Sequence, residues 1–469
     1  MVSPLALFSF AFLASAPQEF ESGQVISAFA DDAVTLAHTD ADLDGDTDIL
    51  TIHWTQGAVI LIENLGNDQF HPGRAVTTAR LYEPYRIGAA DLDGDGDEDL
   101  ITLSLRDNKI SWHASDGAGN YGARQVVNSG IGSGGPFRFD CQDLEGDGDL
   151  DLVWATAGGT IYSVENQGGG VFASEQRIRS VDPITELSLD DVNQDGLQDI
   201  VYNTGDGVYF VLNNGNGNWA PPVRIFATGS NGTVYGSTAG DLNADGLPDI
   251  VWGNSGGFGG ISGLYWSENL GNGSFSSESQ IHHEVSRFHS VVDLDHDGIV
   301  DIVASEVFDI VVHKGLGGGA FLPAVQVGAS STSTLQFTVA DMNSDGLLDV
   351  VGAYNQEDSI ISYKRKSVGL QFEVRNLVAC SIAEFELTGA TPGDLVIMGY
   401  SLAGPGPTAT QFGVVDMTPP IEQLASIPAD AQGAAVHMQK VPPQASGIML
   451  YTQATSGGEL SNSLAIMIL

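Results

Sequence analysis

A nine-residue acidic loop occurs seven times in this 469-residue chain, and no other feature constrains the fold as strongly. The pattern is Asp, any residue, an acid or Asn, any residue, Asp, Gly, two variable positions and a final Asp. Its copies begin at residues 40, 91, 143, 191, 241, 293 and 341, so successive copies start 48 to 52 residues apart. Recurrence at this period predicts a repeat architecture in which each copy belongs to one supersecondary unit.

The spacing of oxygen-bearing side chains inside each loop is typical of a calcium site. Side chains at positions 1, 3, 5 and 9 converge if the backbone turns sharply, and Gly at position 6 permits that turn. The backbone carbonyl at position 7 supplies another oxygen. Because an acidic, flexible, all-oxygen cage suits Ca²⁺ better than Mg²⁺ or Zn²⁺, we expect about seven bound Ca²⁺ ions.

The predicted metal ligands occupy the odd-numbered positions of each loop. They are Asp40, Asp42, Asp44, Asp46 and Asp48; Asp91, Asp93, Asp95, Asp97 and Asp99; Asp143, Glu145, Asp147, Asp149 and Asp151; Asp191, Asn193, Asp195, Leu197 and Asp199; Asp241, Asn243, Asp245, Leu247 and Asp249; Asp293, Asp295, Asp297, Ile299 and Asp301; and Asp341, Asn343, Asp345, Leu347 and Asp349. The alternative is a solvated acidic turn without an ion. We also expect the Asn-containing and all-acidic loops to differ in affinity.

The sequence around each loop predicts strands and not the helices of an EF-hand. Apolar, often β-branched residues follow position 9, as in Ile-Val-Trp after Asp249. A third apolar segment then leads into a Gly/Asn turn that ends in an aromatic residue, such as ENLGNGSF at 268–275. Four short antiparallel strands in about fifty residues correspond to one blade of a β-propeller. The predicted fold class is therefore all-β, with a seven-bladed β-propeller over residues 19–376.

Two segments are candidates for closing this ring. The segment Phe20 to Ser27 begins with an aromatic residue, and its later residues resemble the outer strands, which also follow an aromatic residue. It is therefore predicted to pair with the last blade as its outer strand. The alternative is that Phe372 to Leu377 fills that position. Beyond the repeats, residues 377–469 alternate apolar and polar residues between Pro/Gly turns, which predicts a small C-terminal β-sandwich.

The repeats resemble the FG-GAP/VCBS family, the calcium-loop propeller repeats of integrin α-subunits and many secreted bacterial proteins. The resemblance rests on the seven tandem loops and covers residues 20 to 376. It implies Ca²⁺ binding at the loop positions named above. The Phe-Gly and Gly-Ala-Pro signatures of the family are mostly absent, so the chain resembles the bacterial branch more than the integrins.

Charge and the N-terminus bear on partners and location. The chain has 60 acidic and 17 basic residues, and the net charge of −43 argues against nucleic acid and anionic membranes as partners. Residues 1–18 contain a short apolar core that ends in Ala-Ser-Ala, typical of a secretory signal peptide. No other run approaches the roughly 20 apolar residues of a membrane span. We expect a secreted or cell-surface bacterial protein without a membrane span.

A ligand is expected on the face opposite the acidic loops, where strands 2 and 3 connect and strand 1 begins. The candidate ligand-binding residues there are His53, Trp54, Tyr85, Arg86, Arg287 and His289. Trp54 lies outside the repeat register, so it is the preferred candidate for stacking on a sugar. Trp154, Tyr202 and Trp252 recur at equivalent positions and are expected to pack between blades. The trio of His282, His283 and His289 is a candidate transition-metal cluster.

These residues favour a binding or adhesion module for a carbohydrate or surface protein. A first alternative is a polysaccharide lyase, in which Arg neutralises a uronate while Tyr or His moves the proton. A second alternative is a structural component of the cell surface. The sequence contains no Ser-His-Asp, phosphate-loop, CxxC or HExxH pattern, which favours binding over catalysis.

Overall fold

The computed structural model describes residues 20–468 apart from gaps at 28–34, 67–68, 78–80, 128–135, 229–231, 257–261, 307–308, 330–333, 355–358, 367–370, 376, 380, 391–394, 404–406, 411–412, 431–432, 447, 457–458 and 462–463. The predicted signal peptide at 1–18 lies outside these residues. The chain divides into two compact units, one of residues 1–292 with 301–365 and the other of residues 293–300 with 366–469. Apart from a 3-10 turn at Pro443–Ala445, the described residues form strands and loops.

The first unit contains seven four-stranded antiparallel sheets. Six of these sheets each consist of four strands that are consecutive in the chain. The first three are β2(Leu36–Thr39), β3(Asp48–His53), β4(Ala58–Ile62) and β5(Arg74–Ala75); β6(Pro84–Ala90), β7(Asp99–Ser104), β8(Lys109–His113) and β9(Gln125–Val126); and β10(Pro136–Gln142), β11(Asp151–Thr156), β12(Thr160–Val164) and β13(Gln176–Ser180). The next three are β14(Ile184–Asp190), β15(Asp199–Thr204), β16(Gly207–Val211) and β17(Val223–Ala227); β18(Val234–Gly240), β19(Asp249–Asn254), β20(Gly263–Ser267) and β21(Ser279–His282); and β22(His289–Val292), β23(Asp301–Ser305), β24(Asp309–His313) and β25(Val325–Ala329). In every sheet the acidic loop joins the first strand to the second.

The seventh sheet closes the set with a strand from the other end of the unit. It consists of β26(Thr334–Ala340), β27(Asp349–Tyr354), β28(Ser359–Tyr363) and the N-terminal strand β1(Gln24–Ser27), which pairs antiparallel with β28. The predicted closure through Phe20 to Ser27 is therefore confirmed. The alternative prediction, in which Phe372 to Leu377 forms this outer strand, is wrong, because β29(Gln371–Arg375) pairs with β30(Ile382–Thr388) in the second unit.

Contacts between the sheets follow a cyclic order. Each of the first strands β2, β6, β10, β14 and β18 contacts the first strand of the next sheet, β23 contacts β26, and β26 contacts β2. The cores lie between successive sheets, as where Leu50 and Ile52 pack with Ile87 and Leu100. Burial of these apolar faces between neighbours stabilises each sheet, which could not bury its own faces alone.

The recurring aromatic residues pack between sheets as predicted. Trp154, Tyr202 and Trp252 are almost completely buried. Trp112 packs beneath the Gly turn of the next sheet, where a Cβ added at Gly170 would lie only 2.2 Å from the indole. Only glycine leaves room for that ring, which explains the Gly cluster at this turn.

The second unit contains three sheets, two of which share one hydrophobic core. Its further strands are β31(Leu395–Ser401), β32(Pro407–Thr410), β33(Gly413–Asp416), β34(Glu422–Pro428), β35(Ala435–Lys440), β36(Met449–Ser456), β37(Glu459–Leu460) and β38(Leu464–Met467). The two sheets around the core have the orders β29–β30–β35 and β34–β31–β36–β37, with β38 paired to β36, and β32 pairs with β33 in a two-stranded sheet. Phe385 from the first sheet and Met398 from the second are both buried in this core. The unit begins near residue 366, earlier than the predicted 377, because β29 belongs to it.

Candidate functional site

The seven acidic loops share one backbone conformation. Gly at position 6 has a φ between 83° and 97° in all of them, a region that side chains strongly disfavour. Position 4 also has positive φ in every loop, even where it is not glycine, as at Leu43 with 57°. This repeated strain is compensated by hydrogen bonds inside the loop.

The Asp at position 1 organises that conformation. In each loop its two carboxylate oxygens accept hydrogen bonds from the backbone N–H groups of positions 5 and 6, at 2.8 to 3.2 Å. The Asp at position 5 in turn accepts from the N–H of position 7, at 2.9 Å for Asp44 and Asp46. These bonds direct the carboxylates of positions 1, 3 and 5 toward one side of the turn.

The Asp at position 9 is buried in every loop and holds two segments together. Its Oδ2 accepts from the N–H of position 2, as from Ala41 to Asp48 at 3.1 Å. Its Oδ1 accepts from the backbone N–H of the second residue after strand 3, as from Asn64 to Asp48 at 2.7 Å. Each oxygen keeps a second lone pair for a ligand. Position 9 is thus a structural anchor as well as a predicted metal ligand.

The four all-acidic loops bring carboxylates unusually close together. Ligand atoms lie within 4.8 Å of one another in the groups Asp40/Asp42/Asp44, Asp91/Asp93/Asp99, Asp143/Glu145/Asp151 and Asp293/Asp295/Asp297. Burial, together with Asp151, raises the pKa of Glu145 to about 8. Among the described residues, Asp42 Oδ1 and Asp93 Oδ1 are shielded from solvent without a hydrogen-bond partner. These oxygens fit a divalent cation, which would neutralise the repelling charges.

The three loops with Asn at position 3 are arranged differently. The Asn193 side-chain amide donates to Asp195 Oδ2 at 3.0 Å, and Asn243 and Asn343 make the equivalent bond. The amide relieves part of the charge repulsion without an ion. The carboxylates of the all-acidic loops therefore have more uncompensated repulsion for a cation to relieve than those of the loops with Asn at position 3.

Side-chain amides connect four of the loops to a neighbouring sheet. The second residue after strand 3 is Asn in four sheets, and its Nδ2 donates to the position 2 carbonyl of another loop at 2.7 to 2.9 Å; these residues are Asn64, Asn166, Asn213 and Asn269. Asn64 joins the first sheet to Met342 O in the seventh loop, and Ser344 Oγ donates to Asp46 Oδ1 at 3.0 Å. The sequence pattern predicted these Asn residues only as turn formers; their recurrence at one position was the available signal.

A second group of candidate residues lies where the first strands begin, on the face opposite the acidic loops. Five first strands, β6, β10, β14, β18 and β26, carry a register shift near this end, at the same position in four of them and one residue later in β18. Such bulges redirect side chains. Arg86, Arg138 and Glu186 all lie five residues before an acidic loop and next to this shift.

These three residues form one charged cluster with aromatic neighbours. Glu186 pairs with Arg138 at 3.0 Å and with Arg86 at 3.6 Å. The Arg138 guanidinium lies 4.0 Å from the Phe137 ring centroid, and Tyr85 stacks on Phe137 at 5.2 Å. One glutamate thus balances two arginines, which leaves a net positive charge in a strongly acidic protein.

A cavity of about 400 Å³ opens beside this cluster. Arg86, Glu186, Arg287, Phe288 and His289 contribute to its lining. His289 Nε2 lies 3.1 Å from Val251 O, and burial lowers the pKa of His289 to about 4. The imidazole is therefore neutral, donates through Nε2 and leaves Nδ1 as an acceptor.

Three of the six predicted ligand residues, Arg86, Arg287 and His289, line this cavity. Tyr85 and Trp54 adjoin it, since their rings meet edge to face at 6.5 Å and Arg86 lies 6.0 Å from the Tyr85 centroid. His53 is buried at the end of β3, 3.4 Å from Thr55 Oγ1 and 3.3 Å from Gln56 Nε2. Glu186, Phe137 and Phe288 were not predicted from the sequence, although Glu186 has the same offset from its loop as Arg86.

The predicted histidine trio does not form among the described residues. His289 lines the cavity, whereas His282 lies with Glu306 and His313. Sequence distance misled the prediction, because Glu306 and His313 belong to the following sheet.

The repeated sheets, their cyclic contacts and the anchored acidic loops define a β-propeller. The FG-GAP-like repeat family matches residues 40–102, 91–154, 191–252, 241–304 and 293–352. These matches cover more than half of the chain, so the protein belongs to the FG-GAP-like repeat family, as predicted. Its placement in the bacterial VCBS branch stays a prediction.

Solved structures support the fold. The chain is similar to an Agrocybe aegerita lectin that recognises non-reducing terminal N-acetylglucosamine, with 21% identity over 63% of this chain and 80% of that one and a TM-score of 0.51. It is also similar to BBS1N in complex with ARL6DN, with 10% identity over 75% of this chain and 98% of that one and a TM-score of 0.53. No curated protein sequence matches it. In the described part of the chain, no helix is long and apolar enough to cross a membrane.

Proposed function

We propose that the protein is a secreted, calcium-stabilised, seven-bladed propeller that acts as a binding and adhesion module for an acidic glycan on a bacterial cell surface. The observation that carries this proposal is the cluster of Arg86, Arg138 and Glu186 beside the cavity. Arg86 and Arg138 pair with one glutamate there, and Arg287 lines the same cavity, in a chain with a net charge of −43. A local positive site within a negative protein favours a carboxylate or sulfate group.

The neighbouring rings support a carbohydrate in particular. Tyr85, Phe137 and Phe288 offer apolar faces around charged groups. Sugar sites combine such faces with a few polar groups that fix orientation. The lectin neighbour is consistent with glycan binding on this fold, and the BBS1N complex is consistent with protein binding. Ca²⁺ is the ion proposed for the acidic loops, because Asp, Glu and Asn oxygens converge there.

Lyase activity is less well supported. Elimination from a uronate requires a base that accepts a proton, and the pKa of His289 is about 4, which makes its imidazole a weak base. His53 is buried against Thr55 and Gln56. Neither histidine of this rim is therefore well placed to act as the base.

A glycan array with acidic and neutral polymers, probed with the calcium-loaded protein, tests the proposal. We expect binding to acidic polymers, and the double variant Arg86→Gln/Arg138→Gln should weaken it at least about tenfold, since each removes a charge-assisted contact. Arg106→Gln is the matched control, because Arg106 lies on the same face but is 71% exposed in its side chain and pairs with Glu83. Binding that survives the double variant, or release of unsaturated uronate products, would contradict the proposal.

A further inference from the structure

His282, Glu306 and His313 form a cluster that the acidic loops and the rim do not use. His282 ends β21, the outer strand of the fifth sheet, while Glu306 follows β23 and His313 ends β24 in the sixth sheet. One ligand atom from each lies within 4.8 Å of the other two. His282 Nε2 is 3.1 Å from Glu306 Oε1, and the two imidazole centroids are 5.0 Å apart.

The donor set differs in kind from that of the acidic loops. Two imidazoles and one carboxylate are the ligands of open three-residue zinc sites, in which water or another group takes the fourth position. Imidazole nitrogen selects transition metals such as Zn²⁺ over Ca²⁺. The donor atoms of the trio therefore suit a class of ion that the oxygen loops do not favour.

A backbone carbonyl orients one of the ligands. His313 makes a hydrogen bond with the Leu322 backbone, as His113 Nδ1 does with Gly122 O at 3.1 Å in the second sheet. Histidine ligands commonly use one ring nitrogen in this way, which directs the other toward the metal. His113 shows that the carbonyl contact belongs to the repeat, whereas the neighbours His282 and Glu306 are particular to the fifth and sixth sheets.

Charge and burial at the cluster also suit a cation. His313 is almost completely buried, and His282 and Glu306 retain side-chain exposures of 29% and 17% through which an ion can enter. Glu284 and Asp309 act electrostatically on Glu306, so two additional carboxylates lie near the site.

We propose that His282, Glu306 and His313 bind one transition-metal ion of the Zn²⁺ type and thereby clip the outer strand of the fifth sheet to the sixth sheet. The site is independent of the proposed glycan binding and of calcium at the acidic loops. Bound metal would stabilise the native state by mass action, since the unfolded chain does not bring the three ligands together.

Cobalt spectroscopy on the full chain tests this proposal. With Ca²⁺ in excess to fill oxygen sites, Co²⁺ should give intense visible bands of low-coordinate nitrogen ligation at one equivalent, and Zn²⁺ should abolish them. His282→Gln should weaken Co²⁺ binding at least about tenfold. His283→Gln is the matched control, because His283 is the exposed neighbour and should leave the titration unchanged.

A second variant guards against loss of folding. Glu306→Gln keeps the size of a partly exposed side chain and should also weaken Co²⁺ binding at least about tenfold, with circular dichroism like that of the unaltered protein. Absence of the visible bands in the unaltered protein would overturn the proposal. Equal Co²⁺ affinity in the His282→Gln and His283→Gln proteins would do the same.

Discussion

The Asn64 backbone N–H donates to Asp48 Oδ1 at 2.7 Å, and an equivalent bond recurs in all seven sheets. The acceptor is always the last Asp of the acidic loop, and the donor always follows strand 3. The bond therefore couples the loop between strands 1 and 2 to the turn between strands 3 and 4. An ion bound by the loop would stabilise both hairpins of a sheet through this carboxylate.

Removal of calcium should destabilise the propeller strongly. A site whose ion is present at 100 times its dissociation constant contributes about 2.7 kcal/mol. Several such sites lost to EDTA should lower the Tm by about 10 °C or more. Differential scanning calorimetry with EDTA and with excess CaCl₂ measures this, and restored calcium should reverse it. An unchanged Tm would contradict calcium binding at the loops.

The effect of chelation should grow with pH. Burial raises the pKa of Asp48, Asp199, Asp249 and Asp349 to about 7, above the ordinary value of 3.8. A raised carboxyl pKa favours the folded state while the group is protonated, so calcium-free stability falls as pH rises from about 4 to about 7. The Tm difference between calcium-loaded and EDTA-treated protein should be larger at about pH 7.5, above these pKa values, than at about pH 5, below them. An equal difference at both values would refute this coupling.

Asp93→Asn should give the second loop the arrangement of the three loops that have Asn at position 3. The amide can donate to Asp95, as Asn193 donates to Asp195, and one negative charge is removed. We expect weaker calcium binding at this loop and a calcium-free protein that is more stable by about 1 kcal/mol. Calorimetric calcium titration and urea unfolding measure the two effects. Asp182→Asn, an exposed position outside the loops, is the control and should change neither.

Asn166→Ala should destabilise the propeller by about 2–4 kcal/mol. Asn166 is buried, and its Nδ2 lies 2.7 Å from Leu92 O and 3.2 Å from Leu150 O, so the substitution leaves two carbonyls without this donor. Urea unfolding of the calcium-loaded protein measures the change. Asn214→Ala, at an exposed position in another turn, should cost less than about 1 kcal/mol. Similar losses in the two variants would argue against the role assigned to Asn166.

His289→Gln should reduce the loss of stability in mild acid. The pKa of His289 is lowered to about 4 in the folded protein, so its contribution is complete above the ordinary value of 6.5 and is lost as pH falls toward about 4. Between pH 7 and pH 5 this titration lowers the free energy of unfolding by about 2 kcal/mol. Gln does not titrate, so the variant should not show this part of the loss. Urea unfolding at both pH values, with exposed His71→Gln as control, checks this. The same acid loss in His289→Gln as in the unaltered protein would contradict it.

The acidic loops and strands were predictable because their determinants are local. The Gly45 turn and the hydrogen bonds from Asp44 and Gly45 to Asp40 lie within nine residues, so the sequence pattern contains them completely. The apolar runs after each loop predicted the second strands for the same reason. Closure through β1 was also predictable, because Phe20 to Ser27 carries the pattern of an outer strand.

The binding rim and the histidine cluster depended on the tertiary structure. Glu186 meets Arg86 across a hundred residues of chain, and His282 meets Glu306 and His313 across two sheets. Such pairings follow from the packing of separate sheets and from bulges at the first strands, which a one-dimensional pattern does not specify. The sequence by itself thus determined the repeats, the family and the candidate ion loops. Only the packing of the sheets decided which side chains share a site, because sites form where separate repeats meet.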